Sequence, residues 1–162
     1  MRIYLIGMPG SGKSTVGRLL AKALNYQYID LDGVIEKDAL MFIPSIFETL
    51  GEEKFRKLET EALKSIEGEN IVVSCGGGVV TVKENKIFMT GLKIYLDTDI
   101  EVIRNRLSND YERPLLKEKS LEQILDERFL KYQDFADIIV SNNVDVDETV
   151  KVILNYLARE IH

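Results

Sequence analysis

One cysteine, Cys75, and one histidine, the terminal His162, are all the chain has of either residue. A single thiol closes no internal disulfide and a lone imidazole builds no Cys/His zinc cluster, so a reducing cytoplasm is the expected compartment. Proline is scarce, 3 residues against 11 glycines, and no internal repeat, low-complexity tract or Pro/Ser linker interrupts the chain. That excludes collagen-like, disordered and tethered-module organisations. Long apolar runs are missing: the amino-terminal one, Arg2 to Ile6, meets a glycine at once, too soon for a signal peptide or a membrane span. A positive surplus is missing as well. The net charge of -6 argues against a general nucleic-acid binder, whose phosphate contacts need clustered Lys and Arg.

What the chain does contain is the making of one core. At 162 residues, 45% hydrophobic and 30% charged, it has the profile of a single soluble domain spanning 1–162. Its charge is uneven, because residues 104–131 hold seven basic side chains against six acidic ones. A relatively basic segment in an acidic protein suits a small anion, although solvated helix charges give the same count.

Short apolar runs at Arg2 to Ile6, Tyr26 to Ile29, Ile71 to Ser74, Leu92 to Leu96 and Ile138 to Val140 read as buried strands. Helical periodicities separate them. Val16, Leu19, Leu20, Ala23 and Leu24 make one face, Phe55, Leu58, Ala62 and Ile66 another, and Val146, Val150, Ile153 and Leu157 a third. Strands alternating with helices predict an α/β three-layer sandwich around a five-stranded parallel sheet. Two intervals exceed a simple crossover: Asp30 to Asn70, with at least two helical patterns, and the polar stretch Ser108 to Ser120. Ligands bind beyond the carboxyl ends of parallel strands, so these are the expected recognition and lid segments, placed at about 31–62 and about 108–120.

Directly after the first run comes Gly7-Met8-Pro9-Gly10-Ser11-Gly12-Lys13-Ser14, a full G-x-x-x-x-G-K-[ST] phosphate loop between a strand and a helix. Glycines let backbone N–H groups wrap phosphate oxygens, the helix turns its amino terminus to the anion, Lys13 supplies a mobile cation, and Ser14 offers a hydroxyl to magnesium. Gly10, Ser11, Gly12, Lys13, Ser14 and Thr15 are the expected nucleotide contacts. A guanine-specific Asn-Lys-x-Asp is absent, since Asn85-Lys86 runs into Ile87-Phe88. Ile94-Tyr95-Leu96-Asp97 partly matches a strand ending in a magnesium-binding Asp, with a helix cap before Ile100 as the other reading of Asp97. Small size and two insertions favour a small-molecule kinase.

Asp30 and Asp32 stand one residue apart at the expected carboxyl edge of the sheet, where one could face magnesium and the other an acceptor, or both could cap the next helix. Arg56 and Glu59, three apart on one helical face, read by themselves as a surface ion pair. Gly76-Gly77-Gly78 at a strand end permits close approach of backbone to a ligand.

In this order and spacing the set closely resembles shikimate kinase, a P-loop kinase of the nucleoside monophosphate kinase group. It comprises the phosphate loop, Asp30-Leu31-Asp32, Phe55-Arg56-Lys57-Leu58-Glu59, Gly76-Gly77-Gly78, Arg113-Pro114-Leu115-Leu116, and Glu127-Arg128 followed by Tyr132. The resemblance implies transfer of the γ-phosphoryl of magnesium-bound ATP to the 3-hydroxyl of shikimate, on the route to chorismate and the aromatic amino acids. It implies Arg56 and Arg128 on the carboxylate, Asp32 on the hydroxyls, and Gly76, Gly77 and Gly78 against the ring. Asp30 joins Ser14 near Mg2+, Arg113 reaches the phosphates or the acceptor, and Arg106 lies by the adenine. Lys13, Asp32 and Arg113 are thus the expected catalytic groups of a monomeric enzyme with neither a nucleic-acid nor a membrane partner. A gluconate or nucleoside monophosphate kinase, or a nucleotide-binding switch module, is the alternative. Two departures stand out: the family often has Pro after Glu-Arg-x, where this chain reads Phe129-Leu130, and often Thr before the glycines, where this chain has Cys75. A buried thiol there is structural.

Overall fold

The run Ile3 to Ile6 is apolar on both faces because it lies in the middle of a sheet with helices above and below. A computed structural model describes residues 1–108 and 119–161. In chain order the elements are β1 (Arg2–Ile6), α1 (Lys13–Leu24), β2 (Gln27–Asp30), α2 (Leu31–Ala39), α3 (Ile43–Leu50), α4 (Glu52–Lys64) and β3 (Ile71–Ser74). A 3₁₀ turn (Val79–Thr81), α5 (Asn85–Phe88), β4 (Leu92–Asp97), α6 (Ile100–Leu107), α7 (Leu121–Phe135), β5 (Ile138–Ser141) and α8 (Val146–Ile161) follow.

The sheet order is β2-β3-β1-β4-β5, every pairing parallel. Alternate β1 side chains part to the two layers. Ile3 and Leu5 meet Val16, Leu20 and Ala21 of α1 and Val150, Ile153 and Leu157 of α8. Tyr4 and Ile6 meet the second layer, which includes Leu31 and Ile35 of α2, Phe55 and Ala62 of α4, and Ile124, Tyr132 and Phe135 of α7. The expected three-layer α/β sandwich is what forms. On α1, Ala21 is buried and Ala23 exposed, so the stripe is shifted from its expected position. The interval after β2 carries three helices, one more than the minimum its periodicity indicated. Among the described residues no helix is long and apolar enough to cross a membrane.

Parallel pairing brings the carboxyl ends of the strands to one edge: Leu5 and Asp30 both lie opposite Ser74. Hence the phosphate loop after β1, the aspartates after β2 and the glycines after β3 share that edge. Arg128 lies in unbroken helix, α7, which a capping box of Ser120 and Gln123 starts. The missing family proline therefore leaves helical backbone at that point.

Candidate active site

Gly12 adopts a left-handed backbone (φ 97°) and caps α1, so the helix opens directly from the phosphate loop. A side chain there would run into Asn142 Nδ2, a second reason for glycine. The amino end of α1 faces a cavity of about 700 Å3, whose wall includes Gly10, Gly12, Lys13, Ser14 and Thr15. Asp30, Asp32, Gly76, Gly77 and Arg106 complete the part of the wall expected from sequence. Lys13 Nζ donates to the carbonyls of Gly7 and Met8, both at 2.8 Å. Ser11 sits behind the wall: it is fully buried, its amide donates to Met8 O, and its carbonyl accepts from Asn142 Nδ2 at 2.7 Å.

Asp30 does two things. Its Oδ1 accepts from the Asp32 amide at 3.2 Å as the cap of α2, and it borders the cavity beside Ser14. Asp97 does neither of the things its position suggested. It is exposed at the end of β4 and away from the cavity wall, and the residue before α6 that occupies the cap position is Asp99.

Arg56 and Glu59 form no surface pair. Arg56 Nη1 donates to Glu59 Oε1 at 3.0 Å, with the Arg56 side chain 11% exposed and Glu59 wholly buried, while Nη2 reaches the more exposed Glu52 at 3.3 Å. The cause is α4's packed face, on which Glu59 falls between Phe55 and Ala62. Burial raises the Glu59 carboxyl to about 7, against the pull of Arg56 by charge and hydrogen bond; Asp32 raises it further and Arg128 lowers it. Glu59 Oε2 has no hydrogen-bond partner.

The three glycines make room for protein atoms. An ideal Cβ on Gly76 would stand 3.0 Å from both Asp32 Oδ1 and Glu59 Oε2; on Gly77, 2.8 Å from Pro9; on Gly78, inside the Arg56 guanidinium. The groups that approach these glycines closely are the phosphate loop and the charged side chains of the site. Arg56, Gly78 and the buried Arg128 stand off the cavity wall itself, clustered with Asp32 and Glu59 about this run. Burial also pushes the Tyr132 phenol up to about 12, with the charge of the Arg128 guanidinium opposing. Cys75 is buried, and burial, with Glu59 second, raises its thiol well above the usual range, as befits a structural residue.

Arg106 Nη2 donates to Asn142 O at 3.0 Å and Nη1 to Gly10 O at 3.4 Å, which fixes it on the cavity wall. Burial lowers its pKa. Arg113 and positions 109–118 of the expected lid lie outside the described residues.

Sequence reasoning missed the wall formed by Asn142, Val144, Asp145 and Val146 at the β5–α8 junction. Asn142 is buried, donates to Ser11 O and accepts from Thr149 Oγ1 at 2.6 Å. Its only sequence signal is a polar pair, Asn142-Asn143, after an apolar strand, and nothing in that pair points 131 residues back to the phosphate loop.

The model of the shikimate kinase family matches residues 9–158. A shikimate kinase of Aquifex aeolicus is 45% identical over 159 residues, covering 95% of this chain and 94% of that protein. One from Francisella tularensis subsp. holarctica is 42% identical over 164 residues, covering 96% and 92%. The solved structure of shikimate kinase from Acinetobacter baumannii in complex with shikimate superposes with a TM-score of 0.92 at 34% identity, covering 99% of this chain and 95% of that one.

Proposed function

The chain belongs to the shikimate kinase family, and from that premise we propose that it transfers the γ-phosphoryl of ATP to the 3-hydroxyl of shikimate. The products are shikimate 3-phosphate and ADP: a bond forms between the acceptor oxygen and the γ-phosphorus, and the bond to the bridging oxygen of ADP breaks. The observation that carries the reading is contact between the two halves of the site. Gly77, on the acceptor side, abuts Pro9 of the phosphate loop so closely that a Cβ would be 2.8 Å from it. Donor and acceptor therefore share one compartment, which direct transfer without loss to water requires.

Lys13 leaves its carbonyl partners for the transferred phosphoryl oxygens, where a preorganised cation stabilises charge that grows in the transition state. Asp32 accepts a hydrogen bond from the acceptor hydroxyl, aligns its oxygen with phosphorus and takes the hydroxyl proton late in transfer, because a loose transition state asks little of a base. Arg56 and Arg128 take the shikimate carboxylate, and Arg106 lies by the adenine. Residues 31–62 serve as the acceptor-binding insertion, since they supply Asp32 and Arg56. Ser14 and Asp30 fit magnesium. The described residues contain no cluster of three or more acidic, His or Cys ligands, and a magnesium ion held largely by phosphates and water needs only one or two protein oxygens. When bound it neutralises phosphate charge. The working unit is read as a cytoplasmic monomer.

The test is ADP release with magnesium-ATP and, separately, shikimate, gluconate and nucleoside monophosphates. Saturable turnover with shikimate alone is expected, and turnover only with another acceptor overturns the reading.

A further inference from the structure

We infer that Tyr132 is a positioning residue for the acceptor side: its hydroxyl ties the Gly77 carbonyl, and with it the glycine floor, to the helix that carries Arg128. The inference rests on the function proposed above and adds to it a residue that need not touch substrate.

Tyr132 is fully buried on α7, and a phenol in that position needs a hydrogen-bond partner. Its Oη donates to Gly77 O at 2.6 Å, across 55 residues of sequence. Arg128 lies one turn earlier on the same helical face, itself 5% exposed, and its positive charge acts on the same phenol. Gly77 in turn abuts Pro9. One hydroxyl thus connects α7, the strand-end glycines and the turn of the phosphate loop.

The ring is held separately. It stacks on Tyr95 of β4 with centroids 4.9 Å apart and an interplanar angle of 19°. A phenylalanine could fill the same place by that stack alone, without a buried hydroxyl to satisfy. The oxygen is distinguished by its partner, the Gly77 carbonyl, which belongs to the acceptor side. Losing it frees the Gly77 carbonyl, while Lys13 and Arg106 keep their own hydrogen bonds.

The test compares wild type, Tyr132→Phe, and position 132 carrying para-aminophenylalanine or para-methylphenylalanine. KM is measured for shikimate and for ATP, with thermal midpoints to verify folding. Tyr132→Phe is expected to raise the shikimate KM about five- to twentyfold, the loss of one hydrogen bond that leaves a buried carbonyl unpaired, with the ATP KM changed less than about twofold. The para-amino side chain, which restores a donor, returns the shikimate KM toward wild type, and the para-methyl one, of similar volume without a donor, does not. That pair carries the comparison if Tyr132→Phe fails to fold. An unchanged shikimate KM, parallel rises in both KM values, or equal behaviour of the amino and methyl variants overturns the inference, and the last two are what a purely structural tyrosine gives. A wild-type enzyme inactive toward shikimate overturns the proposed function and this inference with it; an active wild type beside any of those three results overturns this inference alone.

Discussion

Arg56 donates to Glu59 Oε1 at 3.0 Å, and the carboxylate that receives it is fully buried with its other oxygen unpartnered. A guanidinium fixed in this way is preorganised for a ligand carboxylate, because little rotamer freedom remains to be lost on binding. Glu59→Ala should therefore raise the shikimate KM about tenfold and leave the ATP KM within about twofold, Glu52 being too exposed to hold the fork alone. Equal effects on both substrates would mean that Glu59 serves only the packing of α4.

The same burial makes stability depend on pH. The Glu59 carboxyl ionises near 4.5 when unfolded and at about 7 when folded, so over that window the native state binds more protons and its stability falls as pH rises. The contribution of protonated Glu59 is complete below pH 4.5 and lost as pH climbs through about 7. Glu59→Gln, which stays neutral, should remove this part of the profile. Thermal midpoints of wild type and Glu59→Gln should diverge from pH 4.5 to pH 7, to the detriment of wild type, and run parallel above; a constant difference would place the folded pKa near its ordinary value.

Charge on the acceptor gives a third prediction. Arg56→Lys replaces a planar fork by a point charge and should weaken shikimate while sparing ATP; Arg56→Ala should raise the shikimate Kd roughly ten- to a hundredfold. A shikimate analogue with a neutral amide in place of the carboxylate should bind wild type poorly and lose little more in Arg56→Ala. Additive losses, measured calorimetrically, would remove the carboxylate contact from Arg56.

Lys13→Ala should lower turnover by roughly 10²-fold or more with the fold retained, because its ammonium is held by the Gly7 and Met8 carbonyls at the cavity and adds little to the core. Near wild-type turnover in a folded variant would sink its place in the cradle.

Gly78→Ala tests the glycine run. Its backbone (φ -98°) suits alanine, so the added methyl acts only by displacing the Arg56 guanidinium it would overlap. A folded protein with a raised shikimate KM and unchanged ATP KM is expected, and unchanged shikimate kinetics would show that Arg56 can move aside at no cost to binding.

Each of these effects depends on groups the chain alone could name to different degrees. β1, β3 and β4 were legible as apolar runs because burial on both faces leaves little other residue choice in a central parallel strand, whereas the edge strands β2 and β5, only partly buried, were legible from their place between helical periods. The phosphate loop was legible because its chemistry is local: glycines, lysine and serine act within eight consecutive residues. Asp30 and Asp32 could be placed at the sheet edge for the same reason, since a strand end carries its neighbours with it. Arg56 and Glu59 were visible as a helical pair, but its burial was not, because exposure depends on what α4 packs against. The reason for three glycines was hidden as well. Pro9, Arg56 and the Asp32–Glu59 pair reach Gly77, Gly78 and Gly76 from other elements, and a strand-end glycine run by itself does not say which atoms come close. Asn142 and Tyr132 lie furthest from sequence reasoning: each meets its partner across 131 and 55 residues. Local propensity placed a helix or a strand end at these positions, and only the parallel pairing of the strands and the docking of α7 brought Ser11 under one and Gly77 under the other.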